Sequence, residues 1–282
     1  MNNLYEIKDL QCKYPTNDYP VLIIGELDIA KGSRTFFIGA SGVGKSTILE
    51  TLGLMNNTIF NENGNSKFIF KNSSEINLIN LWNKKESEIS KFRREHLSFV
   101  FQNTNLFNNL SAFENISIAS ILEGKSRKEA VEATKKAVRK ILPNLTSDKS
   151  ISQLSGGQRQ RIAFARAIVN NYTVLFADEP TGNLDIANAR NLMNILMENT
   201  ENKTTIIVTH DIELAGLYAD QVVLINKKHR ITNEGKSYFG EINNDFNFKR
   251  LVEGGWKSNK LTFKDTQSFL NYLKEILIQQ AG

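Results

Sequence analysis

The sequence predicts an α/β fold built on a mostly parallel β-sheet with helices packed against it. Three observations lead there. Along the middle of the 282-residue chain, short apolar runs of strand composition alternate with helical stretches, the order that produces parallel strands joined by crossover helices. A glycine-rich turn, Gly39-Ala40-Ser41-Gly42-Val43-Gly44-Lys45-Ser46-Thr47, lies between one such run and one such helix. The first forty residues carry several strand patterns in succession, a β-rich layer leading to that turn.

Residues 4–10 alternate with both faces mixed, which reads as an edge strand. Lys13-Tyr14-Pro15 and the turn residues Thr16-Asn17-Asp18 follow, then two further strand candidates at 21–24 and 27–29, with Lys31-Gly32 as a turn. Residues 35–38 read as a short buried strand, and 48–55 carry apolar residues at helical spacing. Residues 56–75 are rich in Asn, Ser and Gly around Phe68-Ile69-Phe70, which predicts a loop, an exposed strand and another loop. Residues 97–101 form a buried strand ending in Gln102.

From 111 to 142 the pattern is helical, with Ala112, Ile116, Ile118, Ile121, Ala130, Val131, Ala137, Val138 and Ile141 apolar and Arg127, Lys128, Lys135 and Lys136 opposite; Pro143 ends it. Ser155-Gly156-Gly157 opens the next helix, running through Ile162, Ala165 and Val169. Residues 174–177 read as a buried strand closed by Asp178-Glu179-Pro180, 186–199 as an amphipathic helix, and 204–209 as a buried strand ending in His210. Gln102, Asp178-Glu179 and His210 each directly follow a strand, so one edge of a parallel sheet, where ligands gather, is expected to collect them. Past Gly235 the patterning weakens through 237–260, after which Phe269, Leu270, Leu273, Ile276 and Leu277 fall on one helical face, with Asp265 or Thr266 as N-cap. That helix either packs on its own domain or meets a partner.

Hydrophobic residues at 40% and charged residues at 23% are ordinary for a soluble globular chain. Thirty-five Lys and Arg against 30 Asp and Glu leave a formal +5 without a dense basic block, compatible with an anionic partner surface such as membrane headgroups and too mild to indicate nucleic acid. Cys12 is the single cysteine, so no intrachain disulfide forms and a reducing compartment is expected. The start lacks the basic-then-apolar pattern of a signal peptide, and no apolar run approaches the ~18 residues of a membrane helix. A cytoplasmic chain is expected, with any membrane role exercised through a partner.

The turn at 39–47 fits G-x-x-x-x-G-K-[ST] without mismatch and has the strand and helix flanks of a phosphate-binding loop, or P-loop. Its glycines let backbone N–H groups turn onto phosphate oxygens, and the helix N-terminus adds partial positive charge. Lys45 would reach the terminal phosphates, and the Ser46 hydroxyl would hold Mg²⁺. The run ending in Asp178 has the form of a Walker B strand, its carboxylate holding Mg²⁺ through water; Glu179 would polarise the water that attacks the γ-phosphate. Leu154-Ser155-Gly156-Gly157-Gln158 offers a second anion site of hydroxyl, bare backbone N–H groups and helix dipole.

A P-loop, this Ser-Gly-Gly helix start and Asp178-Glu179-Pro180-Thr181, in that order, resemble the ABC ATPases, over roughly residues 4–226. The resemblance implies a P-loop NTPase fold of mostly parallel core sheet, antiparallel β layer and an inserted helical subdomain at roughly 103–172, within an ATPase domain of 1–235; residues 236–282 would form a C-terminal extension ending in an amphipathic helix. It implies that Tyr14 stacks on adenine and that Gly39, Ser41, Gly42, Val43, Gly44, Lys45, Ser46 and Thr47 cradle the phosphates. Gln102 would sense Mg²⁺ and water beside the membrane-partner contact; the stretch after it, especially Leu106, Phe107 and Leu110, would either meet that partner or belong to the core. Ser155, Gly156, Gly157 and Gln158 would cap the nucleotide, Asn183-Leu184-Asp185 would be the loop crossing to a second subunit, and His210 would lie near the γ-phosphate. Catalysis would rest on Glu179, His210, Lys45 and Gln102, and Mg²⁺ on Ser46, Gln102 and Asp178, with ATP as the nucleotide.

Within the ABC ATPases, Phe99-Val100-Phe101-Gln102-Asn103-Thr104-Asn105-Leu106-Phe107, Ala112-Phe113-Glu114-Asn115 and residues 178–185 look most like the macrolide-export, lipoprotein-release and cell-division branch. Val43 stands where that branch usually has Ser, the loop at 56–75 diverges, and the extension is longer. With one P-loop and one signature per chain, the resemblance implies a head-to-tail pair holding two ATP molecules. The expected protein is an ATPase subunit on the inner membrane face, powering a separately encoded permease-type subunit for export or mechanical work. A cell-division regulator acting on a wall-remodelling partner is a second reading, and a soluble ABC ATPase acting on nucleic acid or ribosomes a third.

Overall fold

A computed structural model describes residues 2–60, 64–143, 145, 149–182, 184–199, 203–233 and 235–281. The chain forms two compact units, residues 1–91 with 204–282, and residues 92–203.

The first unit contains a seven-stranded sheet in the order Asn226–Thr232, Gly235–Ile242, Leu22–Ala30, Asn3–Cys12, Lys67–Lys71, Glu75–Asn77, with Ile59–Phe60 also paired to Asn3–Cys12. All its pairings are antiparallel except that of Gly235–Ile242 with Leu22–Ala30. The expected edge strand at 4–10 is therefore central. Leu4, Tyr5, Ile7, Leu10 and Cys12 are all fully buried. The buried positions change phase across Asp9, which takes a left-handed φ of 49°, and a strict period-2 reading loses the face there.

The strand expected to be exposed at 68–70 is buried as well. Tyr5 pairs with Phe70 and Ile7 with Phe68, and the Tyr5 ring lies 5.2 Å from that of Phe70 and 6.3 Å from that of Phe68. Its polar flanks are the solvated ends of a core strand: Lys67 and Lys71 hold Glu6 at 2.6 and 2.9 Å.

In the same unit Arg34–Ile38 lies between Thr204–Val208 and Gln221–Leu224, parallel to both. Phe36, Phe37 and Ile38 are fully buried and the whole Thr204–Val208 strand is buried, which is why these strands read as continuous apolar or β-branched runs. The weakly patterned region past Gly235 is well ordered into strands. Gly235–Ile242 joins the antiparallel sheet, while Asn247–Arg250, Trp256–Lys257 and Thr262–Phe263 extend the other sheet beyond Gln221–Leu224. Phe248, Trp256, Phe263 and Phe269 form one aromatic cluster, with ring centres 4.6 to 6.1 Å apart in the contacting pairs. Helix Thr266–Ala281 is capped by Asp265, which accepts from the Ser268 N–H at 2.8 Å, and buries Phe269, Leu270 and Leu273. It packs on its own unit: a Cβ on Gly216 would lie 2.9 Å from Leu270 Cδ2, and Lys274 pairs with Glu213 at 2.8 Å.

The second unit holds the parallel pair Leu97–Val100 and Val174–Asp178, and helices Ala112–Leu122, Arg127–Ile141, Gly156–Ile168 and Ile186–Asn199. The helical stretch expected from 111 to 142 is broken at Gly124, where φ is +88°. Each half has its own capping box, Ser111 with Glu114 and Ser126 with Glu129, in which the serine accepts an N–H from the first turn and the glutamate accepts the serine's N–H.

Candidate functional site

Each unit carries its own group of site residues. In the first, the glycine turn follows the buried strand Arg34–Ile38 and opens helix Lys45–Leu52. Gly42 and Gly44 take φ of +73° and +97°, a region L side chains avoid. Gly39 is needed for space, because a Cβ there would lie 2.7 Å from Val43 Cγ1 and 3.0 Å from the Ile225 carbonyl oxygen. Val43, the departure from serine, points inward and is 2% exposed.

Gly44 is the N-cap of helix Lys45–Leu52, and no side chain caps it. Its first-turn N–H groups are thus available to an anion, and the helix dipole favours one. Lys45 Nζ lies across the loop, donating to the carbonyl oxygens of Gly39 and Ala40 at 2.9 Å each. Ser41 and Ser46 are exposed while Thr47 is buried. The Tyr14 hydroxyl donates to Glu50 at 2.6 Å and shares a 3.2 Å bond with Thr47 Oγ1. Burial, then the bond to Glu50, pushes its pKa up to about 12.

His210 is exposed beyond the end of Thr204–Val208. Thr209 N donates to the Phe37 carbonyl at 3.1 Å, and Asp211 caps the helix Ile212–Tyr218. Gly39 and His210 thus follow the carboxyl ends of neighbouring parallel strands. Sequence reasoning missed Gly240, which lets Gly235–Ile242 run against the loop: a Cβ there would fall 2.0 Å from the Val43 carbonyl oxygen. The weak patterning of residues 237–260 gives no signal for it.

In the second unit, Gln102 and Asp178 lie at the carboxyl ends of the parallel pair. Asp178 and Glu179 are half-buried and Gln102 is exposed. Glu179 takes a φ of +44°, a left-handed conformation that costs an L residue about 1–2 kcal/mol. The turn it begins is closed by Gly182 N donating to the Glu179 carbonyl at 3.1 Å. A Cβ on Gly182 would lie 3.5 Å from that carbonyl oxygen and 3.6 Å from Gln102 Nε2, so turn and glutamine are adjacent. Gln160, buried on helix Gly156–Ile168, donates to the Pro180 carbonyl at 2.9 Å. It ties that helix to the Asp178-Glu179-Pro180 turn, a role no spacing in the sequence signals.

Ser155 and Gln158 cap one another: Ser155 Oγ accepts from Gln158 N at 3.3 Å and Gln158 Oε1 from Ser155 N at 3.0 Å. Ser155 and Gly156 are exposed, and Gly157 is half-buried. Asp185 caps helix Ile186–Asn199 by accepting from the backbone and side-chain nitrogens of Asn188, which hold its pKa below the usual carboxylate range. Asn183 lies outside the described residues. After Gln102, Arg166 donates to the carbonyls of Asn105 and Thr104 at 2.7 and 2.8 Å, and buried Asn115 bonds Phe107 N and three carbonyls. Phe107 is 49% exposed on this pinned loop, while Leu106 and Leu110 are half-buried.

Among the described residues no group of three or more His, Cys, Asp and Glu could hold a metal by itself, and no helix is long and apolar enough to cross a membrane. Hydroxyl, amide and carboxylate oxygens, as at Ser46, Gln102 and Asp178, do suit Mg²⁺, which keeps several waters and substrate phosphates rather than needing a protein cage.

The model of a family described as ABC transporter matches residues 25–182. The lipoprotein-releasing system ATP-binding protein LolD of Aquifex aeolicus is 38% identical over 200 residues, 71% of this chain and 84% of that protein. The macrolide export ATP-binding/permease protein MacB of Photorhabdus laumondii is 34% identical over 242 residues, 83% of this chain; the chain spans about a third of that relative, 35%. Among solved structures, a dimeric post-hydrolysis state of the ATP-binding cassette MJ0796 bound to ADP and Pi matches with a TM-score of 0.66 and 29% identity, covering 78% of this chain and 93% of that one. CbiO1 of Clostridium perfringens, part of the transporter complex CbiONQ, shares the fold at a TM-score of 0.71 and 22% identity, covering 99% of this chain and 94% of that one.

Proposed function

This chain belongs to the ABC transporter family, and from that premise we propose that it binds and hydrolyses ATP to drive a separately encoded membrane partner. The observation that carries the proposal is the phosphate loop: two left-handed glycines, an uncapped helix N-terminus and Lys45 lying across them form a cradle for a polyanion.

The loop residues 39–47 hold the phosphates and Tyr14 meets the adenine. Ser46, Gln102 and Asp178 hold Mg²⁺, which when bound neutralises charge on the phosphate oxygens. Glu179 accepts a proton from the attacking water, a general-base role worth about 10²–10⁴ in rate; Gln102 and His210 orient water and γ-phosphate. Residues 155–158 of one copy, with Asp185, close on the nucleotide held by another, so the working form is a head-to-tail homodimer that ATP closes and hydrolysis releases. The half-exposed Phe107, with Leu106 and Leu110, meets a permease-type subunit, which holds the chain on the inner face of the membrane and turns dimer closure into export or mechanical work.

The test is a mild-detergent pull-down of the Glu179→Gln protein from its native cell with ATP present. Recovery of one integral membrane protein supports the proposal. Recovery of ribosomes or nucleic acid without a membrane protein overturns the partner and leaves ATP hydrolysis standing.

A further inference from the structure

Gln160 is 5% exposed on helix Gly156–Ile168, and its Nε2 donates to the Pro180 carbonyl at 2.9 Å in a buried hydrogen bond. That carbonyl belongs to the turn Glu179-Pro180-Thr181-Gly182, which Gly182 N closes by donating to the Glu179 carbonyl. We propose that Gln160 is a positioning residue for ATP hydrolysis, holding the turn that aims Glu179 at the attacking water, a role that rests on the reading of Glu179 as general base.

Two local costs fall on Glu179. Its φ of +44° is left-handed, and a residue before proline ordinarily stays extended. Such a conformation persists where its surroundings over-determine it. Pro180 is the second residue of the turn and Thr181 the third; Thr181 takes no positive φ, which excludes a type II turn. Types I and II differ by rotation of the central peptide, the one that carries the Pro180 carbonyl. Gln160 therefore holds the peptide on which the form of the turn depends. Its helix is a firm reference, because Ile162, Ala163, Phe164 and Ala165 are at most 2% exposed. On the same helix Arg166 donates to the Thr104 and Asn105 carbonyls at 2.8 and 2.7 Å. One helix thus holds the loop after Gln102 with one side chain and the Glu179 turn with another. A buried glutamine on a carbonyl is commonly no more than a satisfied polar pair. What separates Gln160 from that case is what the turn adjoins: a Cβ on Gly182 would lie 3.6 Å from Gln102 Nε2 and 3.7 Å from Glu179 Cβ. Rotation of the turn shifts Glu179 against Gln102, and a misplacement of about 1 Å can cost about 10²-fold in rate.

The test compares four forms of the full chain: the parent, Gln160→Met, Glu179→Gln and the two substitutions together. Methionine keeps the length of the side chain and removes the N–H donor. ATP turnover, binding of a non-hydrolysable ATP analogue and amide hydrogen exchange at Gly182 are measured on each. Gln160→Met should lower kcat about tenfold or more, with KM and analogue affinity within about twofold of the parent. The doubly substituted chain should be no slower than Glu179→Gln alone, because a residue that acts only by placing the glutamate then has nothing left to place. An unchanged kcat in Gln160→Met overturns the proposal. So does a kcat loss that multiplies with that of Glu179→Gln, or one that follows a loss of analogue affinity, since either assigns Gln160 a merely structural part. Near-normal turnover of Glu179→Gln by itself is a separate failure, which removes the general base and the proposal with it. Should no form turn over ATP, exchange at Gly182 decides: about tenfold faster in Gln160→Met supports the anchor, and an unchanged rate overturns it. Should Gln160→Met misfold, Gln160→Asn, which keeps the amide and withdraws it by one methylene, is read by the same outcomes.

Discussion

Gly240 and Val43 meet backbone to backbone, with room for no side chain between them: a Cβ on Gly240 would sit 2.0 Å from the Val43 carbonyl oxygen. Ile225 Cγ2 at 2.8 Å and Leu22 Cδ1 at 3.0 Å close the other sides of that space. Val43 lies inside the phosphate loop, so a strand from the last fifty residues sets one wall of the loop that begins at Gly39.

Gly240→Ala therefore forces the strand and the loop apart. We expect a loss of about 1–3 kcal/mol in urea unfolding, the size of an overpacked core, and binding of a fluorescent ATP analogue weakened about tenfold (~1.4 kcal/mol). Gly235→Ala is the control, since a Cβ there meets nothing within 4 Å although φ is +119°. It should lose stability by backbone strain alone and keep its nucleotide affinity.

Glu179→Gln keeps the size and hydrogen-bonding reach of the side chain and removes its basicity. Phosphate release should fall by about 10²–10⁴ while ATP binding persists, and the protein should run as a dimer on size exclusion with ATP. Near-normal turnover would remove Glu179 from the proposed role.

Asn115 is fully buried and holds the loop that presents Phe107, through Phe107 N, Phe107 O, Leu110 O and Ser111 O. Asn115→Ala takes this partner from Phe107 N and Leu110 O, while Phe107 O and Ser111 O keep the N–H groups of residues 110 and 115, at a cost of about 1–3 kcal/mol for each buried group left unsatisfied. We expect a lower melting temperature and faster proteolysis within 103–111. Asn115→Asp is the informative companion, because it can still accept from Phe107 N yet cannot donate to the carbonyls.

Hydrogen bonds from Lys67 and Lys71 hold the Glu6 carboxyl below its usual pKa. A carboxylate with a depressed native pKa stabilises the fold above its unfolded pKa of about 4.3, and the contribution is lost as pH falls through the native value. Glu6→Gln should thus be less stable than the parent chain at pH 7, with the gap narrowing below about pH 4.3. A gap independent of pH would show that the carboxylate's charge is not what the two lysines add.

The phosphate loop, the helix starts at Ser111 and Ser155, and the residues that follow strand ends, Gln102, Asp178 and His210, were all legible in the sequence. Each is set by spacing within a few residues: a glycine pattern, a serine three before a glutamate or glutamine, an apolar run with a polar end. Only the tertiary structure decided that Asn3–Cys12 is central, that Phe68 and Phe70 are buried, and that the residues past Gly235 complete two sheets. It alone brought Gly240 to Val43. The physical reason is reach. Periodicity reports which side of a segment is apolar, whereas these facts depend on which distant segment pairs with it and in what register. A single left-handed residue such as Asp9 is enough to shift the phase on which the local reading rests.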